Sequence, residues 1–313
     1  MRYVLKKTAT MLATLLVVSL LLFVAFQLIS GDPATRILGT GATPESLAVL
    51  RSELGLDRPL VTRYLSWLLS FAQGDPGVSY VYNQPVATLL ATKIPVTLVL
   101  AALSFAFMCA MGIPTGIICA KYAGSPVDRI VMVANQVIMA TPPFFSGILL
   151  SWVLGMGLHL FTPGGYVSYE TSVPRFLGYL VVPCLAIALP RAAQLAKLLR
   201  GSILEEAGKN YVRTAYSRGN NTSGVLFGHV LKNAFLPALT FLGMSLGTML
   251  AGSLVVERVF GIPGVSSILL ASIGNRDYPV ILAIVVLIAA VIVVVNLLVD
   301  ILYKVLDPRI GEE

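Results

Sequence analysis

Charge is scarce in this sequence. Asp, Glu, Lys and Arg make up 12% of its 313 residues, while 57% are hydrophobic and the mean hydropathy is +0.85. A soluble domain carries roughly 25% charge and about 45–50% apolar residues. One water-facing core cannot absorb this much apolar surface, so an ordinary cytosolic enzyme is excluded. Disorder is excluded by the same numbers, because it needs low hydrophobicity and high charge. Cysteine is scarce too. Cys109, Cys119 and Cys184 have no paired spacing, which excludes a disulfide framework and a zinc ribbon. All three sit in apolar runs and read as small buried hydrophobes. There are two histidines, His159 and His229, too few and too far apart for a metal cluster or a nucleophilic triad. No G-x-x-x-x-G-K-[ST] phosphate loop occurs, so the chain has no ATPase site of that kind.

What is abundant is long apolar sequence. A membrane-crossing helix needs roughly 20 apolar residues. Stretches free of Asp, Glu, Lys and Arg run from Thr8 to Gly31, Ile94 to Ala120, Ile130 to Tyr169, Phe176 to Pro190, Asn233 to Val256 and Tyr278 to Val299. The third holds one span plus a polar tail. The fourth is short and is expected to continue to Arg200, its basic residues snorkelling. Six spans put both termini on one side. The first has a basic start at Arg2, Lys6 and Lys7, but its apolar run exceeds a signal core and no A-x-A site follows, so an uncleaved anchor is expected. With the N-terminus in the cytoplasm, the inner segments hold most of the basic residues and the whole formal excess of +7. The pI of about 9.4 is therefore a topology signal rather than a nucleic-acid footprint.

Two segments outside the spans are long. The outer one, 32–93, reads as short helices over the outer mouth. Thr43-Pro44-Glu45 supplies a cap, a proline for the first position and an acid near the positive dipole end. Gly55 closes that helix, Pro59 opens another that ends near Gly74, and Asp75-Pro76-Gly77 reads as a turn. Gly39-Thr40-Gly41 is not a nucleotide fingerprint, since no strand precedes it. The inner segment, about 201–232, reads as a helix over Leu204 to Ser217, a turn cluster from Gly219 to Gly224, and a second helix from Val225 to Asn233 leading into Leu236-Pro237. Such a helix, turn and helix on the inner face is a docking surface. The domain reading is an anchor helix over 1–31, an extracytoplasmic segment over 32–93 and a five-span core over 94–313.

The spans carry almost no ionisable residues. Ion-coupled transporters usually place such groups at mid-membrane. Arg191, Lys197, Arg200 and Asp300 all fall towards inner helix ends, so energy for pumping has to come from elsewhere. No charged ring marks a passive channel.

The inner segment, with Tyr211-Val212-Arg213-Thr214-Ala215, Arg218-Gly219 and His229-Val230-Leu231-Lys232-Asn233-Ala234-Phe235-Leu236-Pro237, resembles the cytoplasmic signature loop of permeases of ATP-binding-cassette importers. The nearest likeness is to the first permease of the dipeptide/oligopeptide/nickel group. Gly31-Asp32-Pro33, Leu54-Gly55-Leu56-Asp57-Arg58-Pro59-Leu60, Ile94-Pro95-Val96-Thr97-Leu98 and Pro143-Phe144-Phe145 are similar to that group. So are Val255-Val256-Glu257, Phe260, Pro263-Gly264 and Arg276-Asp277-Tyr278-Pro279-Val280. The tail, Asn296-Leu297-Leu298-Val299-Asp300 and Leu306-Asp307-Pro308-Arg309-Ile310, matches too. Where the general importer motif begins Glu-Ala-Ala, this chain has Arg213-Thr214-Ala215, as peptide-type permeases do. Gly74-Asp75-Pro76-Gly77 departs from the group's usual leucine at the third position.

The resemblance implies an all-α type I importer permease with six transmembrane helices. It implies no enzyme activity and no cofactor on this chain, with ATP and Mg on separate ATPase subunits. It also implies pairing with a second, similar permease and an extracytoplasmic binding (lipo)protein, in a prokaryotic cytoplasmic membrane. The loop over 205–224 would be the coupling helix, carried by Glu206, Tyr211, Val212, Arg213, Thr214, Ala215, Arg218 and Gly219. Tyr211 and Val212 would be buried anchors in the ATPase groove, Arg213 and Arg218 would offer charged hydrogen bonds, Ala215 would allow close approach, and Gly219 would allow the turn. In span five, Gly243, Gly247 and Gly252 together with Met244, Ser245, Thr248 and Ser253 either line the pathway or permit tight packing. Glu257, Arg258, Arg276 and Asp277 either meet the binding protein or form structural ion pairs. Peptide is the expected substrate. Nickel or a metal–chelator complex is the alternative within the family, and a passive channel or scaffold the alternative outside it.

Overall fold

The computed structural model describes residues 2–29, 33–39, 42–53 and 55–306. Gly31-Asp32, Thr40-Gly41, Leu54 and the tail motif from Asp307 lie outside the described residues. Among the described residues the secondary structure is helical, apart from an isolated antiparallel bridge between Val78 and Pro85. Five helical stretches are long and apolar enough to cross a membrane: Lys6–Phe26, Val86–Lys121, Val173–Ala207, Thr222–Phe260 and Tyr278–Val299. A bent pair makes up to six. The chain divides into two compact units, Met1–Val96 with Pro263–Val294, and Thr97–Ile262 with Val295–Glu313.

The first unit contains α1 (Arg2–Ile29), α2 (Pro33–Leu38), α3 (Pro44–Glu53), α4 (Leu60–Ala72), α5 (Val86–Ala91), α13 (Val265–Asn275) and the first part of α14 (Tyr278–Leu306). The starts of α3 and α4 are those read from the sequence. The Thr43 hydroxyl accepts from the Ser46 N–H, and Pro44 and Glu45 follow it in the first turn. Gly55 and Gly74 take positive φ, as helix exits do. Asp75 Oδ1 accepts from the Gly77 N–H at 2.9 Å, closing the turn. α4 lies on α1 through aromatic contacts. Phe23 meets Tyr64 edge-on at 5.5 Å between centroids, and Leu282 of α14 completes the cluster. The Tyr64 hydroxyl bonds Ser19 Oγ at 2.9 Å and donates to the Leu16 carbonyl, so the polar tip of the ring is satisfied.

The second unit is organised around α9 (Val173–Ala207). This helix continues through Pro183 and Pro190 and past Arg200, about two turns further than expected. It packs against α7 (Pro126–Ala140), α8 (Pro143–Leu150) and α12 (Leu231–Phe260). On α6 (Ile94–Lys121), Gly112 and Gly116 meet α9 at backbone distance. A Cβ at either would stand 2.9 Å from the carbonyl oxygen of Ala192 or Ala196. Small residues four apart on both helices are what permit such an approach. Cys119 and Cys184 are buried in this unit and Cys109 is half-buried, as small hydrophobes.

The third span corrects the sequence reading. Instead of one helix from Ile130, the chain forms α7, then α8 with a π-helical continuation over Ser151–Gly157, bent by 108° at the break. The cause is Pro142-Pro143. Neither offers an N–H, and each pushes the residue before it out of the helical region. Thr141 and Pro142 are accordingly extended, with ψ 121° and 144°.

Substituting Gly116→Val therefore forces α6 away from α9 and lowers stability by about 1–3 kcal/mol. Gly178→Ala, on the same α9 but in open space, leaves stability unchanged or raises it slightly. Thermal unfolding of the two variants in detergent separates them.

Candidate coupling surface

The expected inner helix over Leu204–Ser217 is two helices. α9 ends at Ala207, Gly208 caps it, and Lys209 is extended with ψ 152°. α10 (Asn210–Ser217) then starts afresh. Glycine weakens helix propagation, which locates the break. Beyond α10, Gly219 takes φ +85°, a conformation glycine adopts without steric cost. Asn221 caps α11 (Thr222–Val225), its Oδ1 accepting from the Gly224 N–H at 2.7 Å. A π-helical stretch over Leu226–Val230 passes directly into α12. Pro237 lies inside α12 and does not end it.

Side chains fix α10 to its own chain. Val212 and Ala215, three apart on one face, are 2% and 6% exposed. Tyr211 Oη donates to Glu206 Oε1 at 2.8 Å and accepts from Asn233 Nδ2 at 3.2 Å. It thereby ties the end of α9 to the start of α12. Lys209 pairs with the other Glu206 oxygen. That hydrogen bond raises the Lys209 ammonium above its ordinary value, and burial raises the Tyr211 hydroxyl. Both shifts keep the protons where the network needs them. Asn220 Nδ2 donates to the Ala215 carbonyl at 3.0 Å, holding the turn to the helix.

The face left open is narrower than expected. Val212 and Ala215 are occupied within the chain, and Tyr211 and Glu206 are struts of the mount. Arg213, Thr214, Arg218 and Gly219 are exposed. Tyr216, 46% exposed, and Ser217 join them, and Phe227 lies exposed beyond the turn. Tyr216 was not among the expected residues, although an aromatic four residues after Val212 on a short basic helix is visible in the sequence.

A second feature was also missed. Arg200 and Asp128 form a two-pronged ion pair, Nε to Oδ1 and Nη2 to Oδ2, both at 2.7 Å. The Asp128 carboxylate, nearly fully buried, also accepts from the Gly124 N–H at 2.9 Å. Ser125 caps α7 by accepting from the Asp128 N–H, with Pro126 at the first position. The S-P-x-D pattern at 125–128 marks that start. Its pairing with a residue 72 positions away is not local and leaves no pattern. The ion pair fixes the start of α7 to the part of α9 that leads to α10. Lys197 adds a bond to Gln136 at 3.0 Å between the same helices.

The other expected site residues separate by burial. Glu257 is fully buried and accepts from the Thr97 hydroxyl. Asp277 is fully buried, accepting from the Ser79 hydroxyl and from the N–H groups of Tyr80 and Val81. Neither carboxylate is offered to an external protein; Arg258 and Arg276 are the exposed members of that set. On α12, Ser245 and Ser253 are buried and bond carbonyls of their own helix, so they line no open path in this chain. Met244 and Thr248 are exposed. A Cβ at Gly243 would overlap Val299 at 2.7 Å, which shows packing at that glycine.

With this geometry in place, comparison with known proteins is informative. The family described as "Binding-protein-dependent transport system inner membrane component" matches residues 112–312. Its N-terminal companion family matches residues 1–101. The chain belongs to the binding-protein-dependent transport permeases. This permease is 33% identical over 308 residues to a Sinorhizobium fredii protein named "Probable peptide ABC transporter permease protein", covering 98% of each chain. It is 34% identical over 311 residues to the oligopeptide transport system permease protein of Bacillus subtilis, again covering 98% of each. It is therefore a multi-pass membrane subunit of an importer whose other components bind substrate and hydrolyse ATP.

Removing one partner of an ion pair with a buried carboxylate leaves the other uncompensated. Asp128→Ala is expected to lower stability when unfolding is measured in detergent. Asp128→Ala with Arg200→Ala should cost clearly less than the two single losses added together. Additive losses would show that the pair is not coupled.

Proposed function

We propose that this permease forms one half of the translocation pore of a di- or oligopeptide importer, alongside a second, homologous permease. Two ATPase subunits, carrying ATP and Mg, dock on α10 and the turn at Gly219. A binding (lipo)protein delivers substrate from the outside. The chain lies in the cytoplasmic membrane of a prokaryote with both termini inside, as the basic inner segments favour.

The observation that carries this reading is the mount of α10. One face is locked into the chain by Val212, Ala215 and Tyr211. Arg213, Tyr216 and Arg218 are left exposed. A helix held on one side and open on the other can transmit force from whatever binds the open side. Arginine and tyrosine are the residues that dominate protein interfaces. Peptide is favoured over nickel because the relatives covering the whole chain are named for peptides. A passive channel or scaffold leaves the mounted helix without a purpose.

Arg213→Glu combined with Arg218→Glu tests the docking. Hydrogen bonds to charged groups contribute about 1.5–3 kcal/mol each, so losing both should weaken ATPase binding about a hundredfold or more. Both side chains are exposed, so stability should change by less than about 0.5 kcal/mol. The measurement is peptide uptake and peptide-stimulated ATP hydrolysis in vesicles holding the assembled complex. Unchanged uptake with unchanged hydrolysis would remove α10 from the coupling path.

A further inference from the structure

α4 divides into three sectors around its axis. Tyr64, Trp67, Leu68 and Phe71 face inward, where Tyr64 and Trp67 meet Phe23 of α1. Thr62, Arg63, Ser66 and Ser70 form a polar sector. Between them runs an exposed apolar stripe: Val61 at 70%, Leu65 at 50% and Leu69 at 63%, spaced four apart so that they stack on one edge. Among the described residues nothing covers this stripe.

The stripe is not isolated. α1, which α4 lies on, carries its own exposed apolar residues, among them Leu12, Val17, Leu21 and Val24, on a segment long and apolar enough to span a bilayer. α4 meets α1 at Ser19 and Phe23, towards the C-terminal end of that segment. Phe26 of α1 contacts Tyr278 at the start of α14, a second spanning helix. Tyr64, Trp67 and Tyr278 thus gather at one end of the two spans, as aromatic residues do at the membrane–water boundary. A helix with an apolar edge beside a lipid-facing span, and a polar edge turned away, has the pattern of an interfacial helix.

We propose that α4 lies in the leaflet at the C-terminal end of α1, with Val61, Leu65 and Leu69 seated among lipid acyl chains. Thr62 and Ser66 then face water. The segment over 32–93 is not wholly an aqueous cap: one of its helices is a membrane anchor that braces α1. This goes beyond the transport reading and requires only that α1 crosses the membrane.

The test places nitroxide labels on the full chain, in a background carrying Cys109→Ala, Cys119→Ala and Cys184→Ala, reconstituted in vesicles of phosphatidylethanolamine and phosphatidylglycerol. Oxygen concentrates in the bilayer, while a nickel chelate stays in water. The ratio of oxygen to chelate collisions should be several-fold higher at Val61→Cys, Leu65→Cys and Leu69→Cys than at Thr62→Cys and Ser66→Cys. Chelate access along the stripe would place it in water, and shielding from both reagents would place a protein on it; either result overturns the proposal. If the cysteine-free background does not fold, Leu65→Trp and Ser66→Trp in the otherwise native chain give the same reading. Brominated lipids should quench the first above the wild-type baseline and not the second, and equal quenching would overturn the assignment.

Discussion

Inside a bilayer no water is available to bond backbone N–H and C=O groups, so a crossing chain must satisfy them in helices. α9 does this over 35 residues, the last of which lie beyond the apolar stretch. Pro183 and Pro190 do not interrupt it. Its alanines at 192 and 196 let α6 approach to backbone distance, and its Arg200 is held by the Asp128 carboxylate at the start of α7. Helices α7, α8 and α12 pack on it. The same helix ends where the coupling surface begins, one residue before Gly208. Movement imposed on α10 has a direct covalent route into the packed core of this unit, and a second through Tyr211 to α12.

Two motifs shared with the importer family are understood better as structure than as surface. Thr97, within Ile94-Pro95-Val96-Thr97-Leu98, donates to Glu257, within Val255-Val256-Glu257. Asp277, within Arg276-Asp277-Tyr278, gathers the hydroxyl of Ser79 and the N–H groups of Tyr80 and Val81. A buried carboxylate is tolerated when its oxygens are met by hydrogen bonds. In each case the carboxylate joins segments far apart in sequence, one junction within each compact unit.

Local features were legible. Thr43-Pro44-Glu45 and Asp75-Pro76-Gly77 are where a helix start and a turn form, because capping chemistry acts over three or four residues. The spans were legible because length and apolarity alone define them. The broken third span was not, although Pro142-Pro143 is plain to see: an absence of charge says that a segment can lie in a membrane, not that it is straight. The burial of Glu257 and Asp277 was hidden because charged residues near span ends are usually exposed, and their partners lie 160 and 198 positions away. On α10 the motif was recognised, but which face is used internally was not. One turn of helix points Val212 and Arg213 in different directions, and only packing decides which is spent on the chain itself.

The claim on which the account rests is that the exposed arc of α10 holds an ATP-hydrolysing partner. Its most direct measurement is retention of the tagged chain in gentle detergent from its native membranes, with mass spectrometry of everything that co-purifies. The account predicts a second permease, P-loop ATPases and a lipid-anchored binding protein, with peptide released from the last. Recovery of the chain alone, or only with copies of itself, would contradict it.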